Sequence, residues 1–160
     1  MTKFIECKKK ITIKDIEAVE KYVNLTFPTA YKKHLLKYNG GQPEASIFFF
    51  FENGKEVDSE IDRFLAIYDG KYDNLKNEID TLKINEKRLP QQMLPIANDV
   101  VGNCICISCK GKDSGKVYFW DHEKEVDYNS SDDNDYSNLY FIADTFEEFL
   151  DRLKPYDQAQ

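Results

Sequence analysis

Three groups of side chains in this chain have types and spacings that invite chemistry. The first is Cys104, Cys106 and Cys109, with His122 on the next apolar segment. Cysteine and histidine are zinc ligands, but zinc sites usually pair Cys-x-x-Cys with a second Cys/His pair. Only Cys106 and Cys109 have that spacing, and on one strand Cys104 and Cys106 point one way while Cys109 points the other. A free cysteine otherwise packs as a small hydrophobe, which is the preferred reading. The second group, Asp121-His122-Glu123, suggests acid–base work. Such catalysis needs groups converging on one pocket, whereas strand alternation turns His122 away from both carboxylates. The only other histidine, His34, lies on a different element. There is no Gly-rich phosphate loop, nucleophile elbow or metal-binding His pair. The third group is acidic: Asp121, Glu123, Glu125, Asp127, Asp132, Asp133 and Asp135, with Lys124 the only base among them. Asp132-Asp133-Asn134-Asp135 offers oxygens that suit calcium, but without the Gly and terminal Glu spacing of an EF-hand. The expectation is a protein that is not an enzyme and carries no metal and no cofactor.

Two readings of the acidic stretch stand side by side. A charge run is commonly a solvated loop. It can equally face a basic protein, where charge complementarity raises association rate and specificity. Under that second reading Tyr128 and Tyr136 are the candidate aromatic anchors. Trp120 is assigned to the core, because a strand places it on a defined face. Asp99 and Asn103 flank the tight turn at Gly102. Asp and Asn bond their own backbone in turns, and a secondary share in partner contact stays open for both.

Behind these residues stands a chain of 160 residues with 11 Phe and 10 Tyr, expected to form one domain over 1–160. A chain of about 150 residues buries roughly 70% of its unfolded surface, so no disulfide or metal staple is needed. The net charge of −7 argues against nucleic acid, which wants a basic face, and against anionic lipid. Four cysteines without a disulfide framework suit a reducing, cytoplasmic setting. The lysines of the first ten residues are not followed by an apolar h-region, so no secretory signal is read. The longest strongly apolar run, Ile47 to Phe51, is too short to span a membrane.

The elements that must position these groups follow from periodicity. Ile13, Ile16, Val19 and Val23 recur at helical spacing, with Thr12 and Asp15 as a capping pair. A second helix is expected over Phe27 to Tyr38, with Thr26 as N-cap, Pro28 in the first turn and Asn39-Gly40-Gly41 as its stop. Ile47 to Phe51 reads as a strand buried on both faces, followed by an Asn53-Gly54 turn. A short strand or turn begins near Val57, with a separate strand over Phe64 to Ile67. Leu75, Ile79 and Leu82 mark a third helix, and Pro90 and Pro95 are expected to break the chain. Leu94 to Glu123 alternates apolar runs with turn residues, as consecutive antiparallel strands do. Asp121 to Asn138 is expected to be a long exposed loop, Leu139 to Ile142 a last strand, and Thr145 with Glu148 the capping box of a final helix.

Three patches in this order resemble the SUKH superfamily, which includes a yeast cell-wall-synthesis regulator and bacterial toxin-immunity proteins. They are Phe27-Pro28-Thr29-Ala30-Tyr31 with Leu35 to Gly41; Leu94 to Asp99 with Gly102-Asn103 and Gly115 to His122; and Ile142 to Phe146 with Phe149-Leu150. The resemblance implies an α+β fold, a twisted antiparallel sheet with helices packed around it. It also implies a cytoplasmic immunity protein that binds and neutralises a cognate toxin, often a nuclease or deaminase with a basic active-site surface. The eukaryotic members suggest an adaptor or regulatory binding module as the alternative. The family supplies no catalytic motif to carry over.

Overall fold

The computed structural model describes residues 2–158. The fold is α+β, as the resemblance implies: a six-stranded, wholly antiparallel sheet in the order β3-β4-β5-β6-β7-β8, a two-stranded ribbon β1-β2, and four α-helices. In chain order the elements are β1 (Phe4–Ile5), α1 (Ile13–Val23), α2 (Thr29–Lys37), β2 (Gln42–Pro43), β3 (Ile47–Glu52), β4 (Lys55–Phe64) and α3 (Leu75–Glu78), which runs on into a π-helix (Ile79–Asn85). Next come β5 (Met93–Asp99), β6 (Cys104–Ser108), β7 (Val117–Trp120), β8 (Leu139–Ala143), α4 (Phe146–Arg152) and a 3-10 turn (Tyr156–Gln158).

The helix starts follow their caps. The Asp15 carboxylate accepts the Thr12 backbone N–H at 2.8 Å and its hydroxyl at 3.1 Å, closing the first turn of α1. Thr145 Oγ1 accepts the Glu148 N–H at 3.1 Å at the head of α4. The start of α2 differs from expectation: Pro28, not Thr26, is the N-cap, because Pro28 stays extended with ψ 142° and its carbonyl takes the Lys32 N–H. Beyond α2, Gly40 (φ 75°) and Gly41 (φ 93°) occupy the left-handed region, where glycine alone is at ease. A Cβ on Gly40 would sit 2.6 Å from that of Ala66. The buried Asn39 side chain holds this junction, donating to Lys9 O and Ile67 O and accepting from Ile67 N.

The centre of the sheet is covered on both faces. Along β6 every residue is buried. Ile105 and Ile107 pack with Ile16, Leu35 and Phe149 in the main core, while Cys104 and Cys106 join Leu82, Met93, Trp120 and Leu139 in a second core. The expected alternation therefore holds, with a core on each side rather than one core and solvent. Burial of a large apolar side chain contributes about 1.5–3 kcal/mol, so both layers matter.

Three strand expectations and one helix expectation are corrected. The residues from Val57 to Ile67 form no pair of short strands; one ten-residue strand, β4, runs to Phe64. Pro95 does not break the chain but lies inside β5, opposite Cys106, with the register shifting just after it; the irregularity absorbs its missing N–H. The run in β3 is not buried on both faces: Phe48 and Phe50 face the core, while Phe51 is 64% exposed, because the second core covers only the far strands. The third helix widens into the π form, with the Glu86 N–H reaching back to Thr81 O. The sheet also curls, bringing β3 near β8: Phe50 stacks on Phe119 with centroids 4.3 Å apart, and Tyr140 Oη donates to Glu52 Oε1 at 3.3 Å.

Candidate functional site: an ordered acidic loop

The segment from Asp121 to Asn138 joins β7 to β8. It is not the uniformly exposed loop expected of its composition: Val126 and Asn138 are buried. Its order comes from its own carboxylates. Asp121 Oδ1 accepts the Glu123 N–H at 3.0 Å, Asp127 Oδ1 that of Asn129 at 2.9 Å, Asp132 Oδ1 that of Asn134 at 2.7 Å and Asp135 Oδ1 that of Ser137 at 3.0 Å. Each is a side chain closing a turn on the backbone two residues on. The Ser137 bonds hold the Asp135 carboxyl below its ordinary value.

Ties to the rest of the fold fix where the loop sits. Asp133 Oδ1 accepts the Gln91 N–H at 3.1 Å, and Gln92 Nε2 donates to Asp133 O and to Tyr136 Oη. Tyr136 and Tyr118 both donate to Asp113 Oδ2, and Ser108 donates to Asp113 Oδ1. Burial works against the Asp113 charge, but these three donors outweigh it and hold its carboxyl low. Tyr136 is pushed up to about 12 by burial and by the same carboxylate. Tyr128 Oη donates to Asp135 O at 2.6 Å. Arg88 pairs with Glu125 at 2.9 Å and lies over the Trp120 ring; Lys124 pairs with Glu52 at 2.8 Å.

Of the residues singled out from sequence, Glu123, Glu125, Asp127 and Asp132 are exposed, while Asp121, Asp133, Asp135, Tyr128 and Tyr136 are half-buried. Both tyrosine hydroxyls are used inside the protein. Asp99 and Asn103 are buried, and they shape the loop's entry. Asp99 Oδ1 accepts the N–H groups of Val101 (3.0 Å) and Asn103 (2.7 Å), and Oδ2 accepts Asn103 Nδ2 (2.9 Å) and Ser59 Oγ (3.0 Å). That orients the Asn103 amide, so its oxygen faces the His122 N–H at 3.1 Å and Nδ1 at 2.5 Å. His122 Nδ1 must then carry a proton, and the imidazole acts as a strut.

The three cysteines do not converge. Cys109 packs in the main core and Cys104 and Cys106 in the second. Burial pushes the Cys109 thiol up to about 12 and raises those of Cys104 and Cys106. Among the described residues no three His, Cys, Asp or Glu side chains are placed to hold a metal ion, and no helix is long and apolar enough to cross a membrane. Sequence reasoning missed the outer face of the sheet beside the loop. There Phe51, opposite the exposed Glu56 of β4, is 64% exposed, and Phe141 of β8, beside Tyr118 and Lys116, is 45% exposed. The alternation Glu56, Asp58, Glu60, Asp62 was the available signal.

A curled antiparallel sheet with a core on each face, α1, α2 and α4 over one and the π-helix reaching the other, and an ordered acidic loop between its last two strands together define an α+β protein. The chain belongs to the SMI1/KNR4 family (SUKH-1), whose family model matches residues 10–152. It is also similar to an SPbeta prophage-derived uncharacterized protein, YokK, of Bacillus subtilis (strain 168). The two are 29% identical over 153 residues, spanning 87% of this chain and 72% of that protein.

Proposed function

We propose that the chain is a cytoplasmic immunity protein that binds a toxin domain stoichiometrically and covers its basic active-site surface. The observation that carries this reading is the acidic loop. Its turn-forming carboxylates hold the backbone in one shape, while Glu123, Glu125, Asp127 and Asp132 present charge to solvent. A preorganised charged surface binds without first having to be ordered. A toxin acting on nucleic acid must attract phosphate and is therefore positive where it acts, so carboxylates can occupy the same ground. Phe51 and Phe141 supply exposed aromatic area beside the loop, of the kind that anchors interfaces. Family membership and a relative described as prophage-derived both support the reading. Co-expression with a toxin encoded beside this chain's gene tests it. Survival that depends on the chain is expected, and killing undiminished by the folded chain would remove the proposal.

A further inference from the structure

We propose that Lys83 is a site of N-acylation, modified by small acyl phosphates drawn into the cavity it lines. The cavity, of about 410 Å³, lies between the end of α1, the π-helix, the β6–β7 hairpin and the acidic loop. Its walls include Tyr22, Lys83, Lys87, Lys110, Tyr128 and Asp133. Three lysines against one carboxylate make a cationic recess in a chain of net charge −7, and such a recess concentrates small anions.

The Lys83 nitrogen is already arranged as a nucleophile. It donates to Pro90 O at 3.1 Å and Gln91 O at 2.8 Å. Those bonds use two hydrogens, so the remaining position on nitrogen holds either the third ammonium proton or, in the neutral amine, the lone pair. Burial brings Lys83 down to about 8, opposed by Cys106, Cys109 and Asp133 and joined by repulsion from Lys110. Desolvation activates lysine nucleophiles in this way. The lone pair attacks the acyl carbon, a C–N bond forms, and the C–O bond to phosphate breaks. Inorganic phosphate departs with that electron pair, and nitrogen loses its extra proton to water. Lys87 and Lys110 are positioning residues that receive the phosphate. The product amide keeps one N–H for two carbonyls and no charge to face Asp133, which loosens the Gln91 segment that tethers the loop.

The site stands independently of the partner reading, and its test needs no partner. The folded chain is incubated with acetyl phosphate and mapped by peptide mass spectrometry across pH. A fall from 10.5 to about 8 raises the neutral fraction near pH 7 roughly three-hundredfold, and weaker basicity takes back part of that. Acetylation of Lys83 about tenfold faster than of exposed Lys55 or Lys112 is expected, with the rate levelling off above about pH 8. Lys110→Gln should slow the acetyl phosphate reaction several-fold while leaving the reaction with a neutral N-hydroxysuccinimide ester within about twofold. Modification of Lys83 no faster than the exposed lysines overturns the proposal, as does equal slowing of both reagents in Lys110→Gln.

Discussion

Replacing Asp99 with alanine should unfold the entry to the acidic loop before it touches anything else. The side chain is 4% exposed and accepts four hydrogen bonds. Asp99→Ala strips the acceptor from the Asn103 N–H and the Asn103 amide, both buried, and from Val101 N–H and Ser59 Oγ, which are nearer water. A buried donor left without a partner costs about 1–3 kcal/mol. Two such donors make a loss of about 3–4 kcal/mol, the outer pair adding little. For a chain of this length that lowers Tm by about 10 °C. Asp99→Asn retains an oxygen for the two backbone donors and turns its amide against that of Asn103, so about 1–2 kcal/mol is expected. Urea unfolding followed by circular dichroism at pH 7 measures both. A loss below about 1 kcal/mol for Asp99→Ala would refute the reasoning, because the network would then have other acceptors.

Two further predictions concern titratable groups. His34 is buried among Phe4, Phe64 and Phe146, and burial, with the nearby Lys37 charge, lowers it to about 4 from 6.5. The unfolded chain therefore binds more protons between those values, so the stabilisation is complete above about pH 6.5 and is lost as pH falls towards 4. The drop should reach a few kcal/mol, and His34→Leu should flatten it in thermal melts across pH; an unchanged slope in that variant would assign the loss to other groups. Of the four cysteines only Cys7 is exposed, so Ellman's reagent should titrate one thiol quickly in the folded chain and four in denaturant. Rapid reaction of Cys104 or Cys106 would contradict the second core.

The helix caps at Thr12 and Thr145 and the split of Ile105 and Ile107 from Cys104 and Cys106 were legible in the sequence, because each rests on residues three or four apart or on strict alternation. The errors share a cause in tertiary contact. Pro95 is tolerated by a register shift against β6 that only the partner strand makes, and Phe51 is exposed because the curled sheet leaves its outer face bare. The loop's acidity was plain from composition, its rigidity less so. The turns at Asp127 and Asp132 are local, but the bond from Gln91 to Asp133 spans 42 positions. The same distance hid the Lys83 cavity, whose walls come from four separated stretches of chain.

The central claim is that the loop's exposed carboxylates bind a basic partner. The direct measurement is the Kd for a toxin domain found encoded beside the gene, taken at low and at physiological salt, for the native chain and for a variant carrying Glu123→Gln, Glu125→Gln, Asp127→Asn and Asp132→Asn. Asn keeps the two turn-closing oxygens at 127 and 132, and Gln at 125 keeps an oxygen for Arg88 while giving up the charge of that ion pair, so the fold should survive. Weakening of about tenfold or more at low salt is expected, with a flattened salt dependence, since exposed charges act within a Debye length of about 10 Å at 0.1 M. A variant that binds as tightly as the native chain, with the same salt slope, would contradict the account.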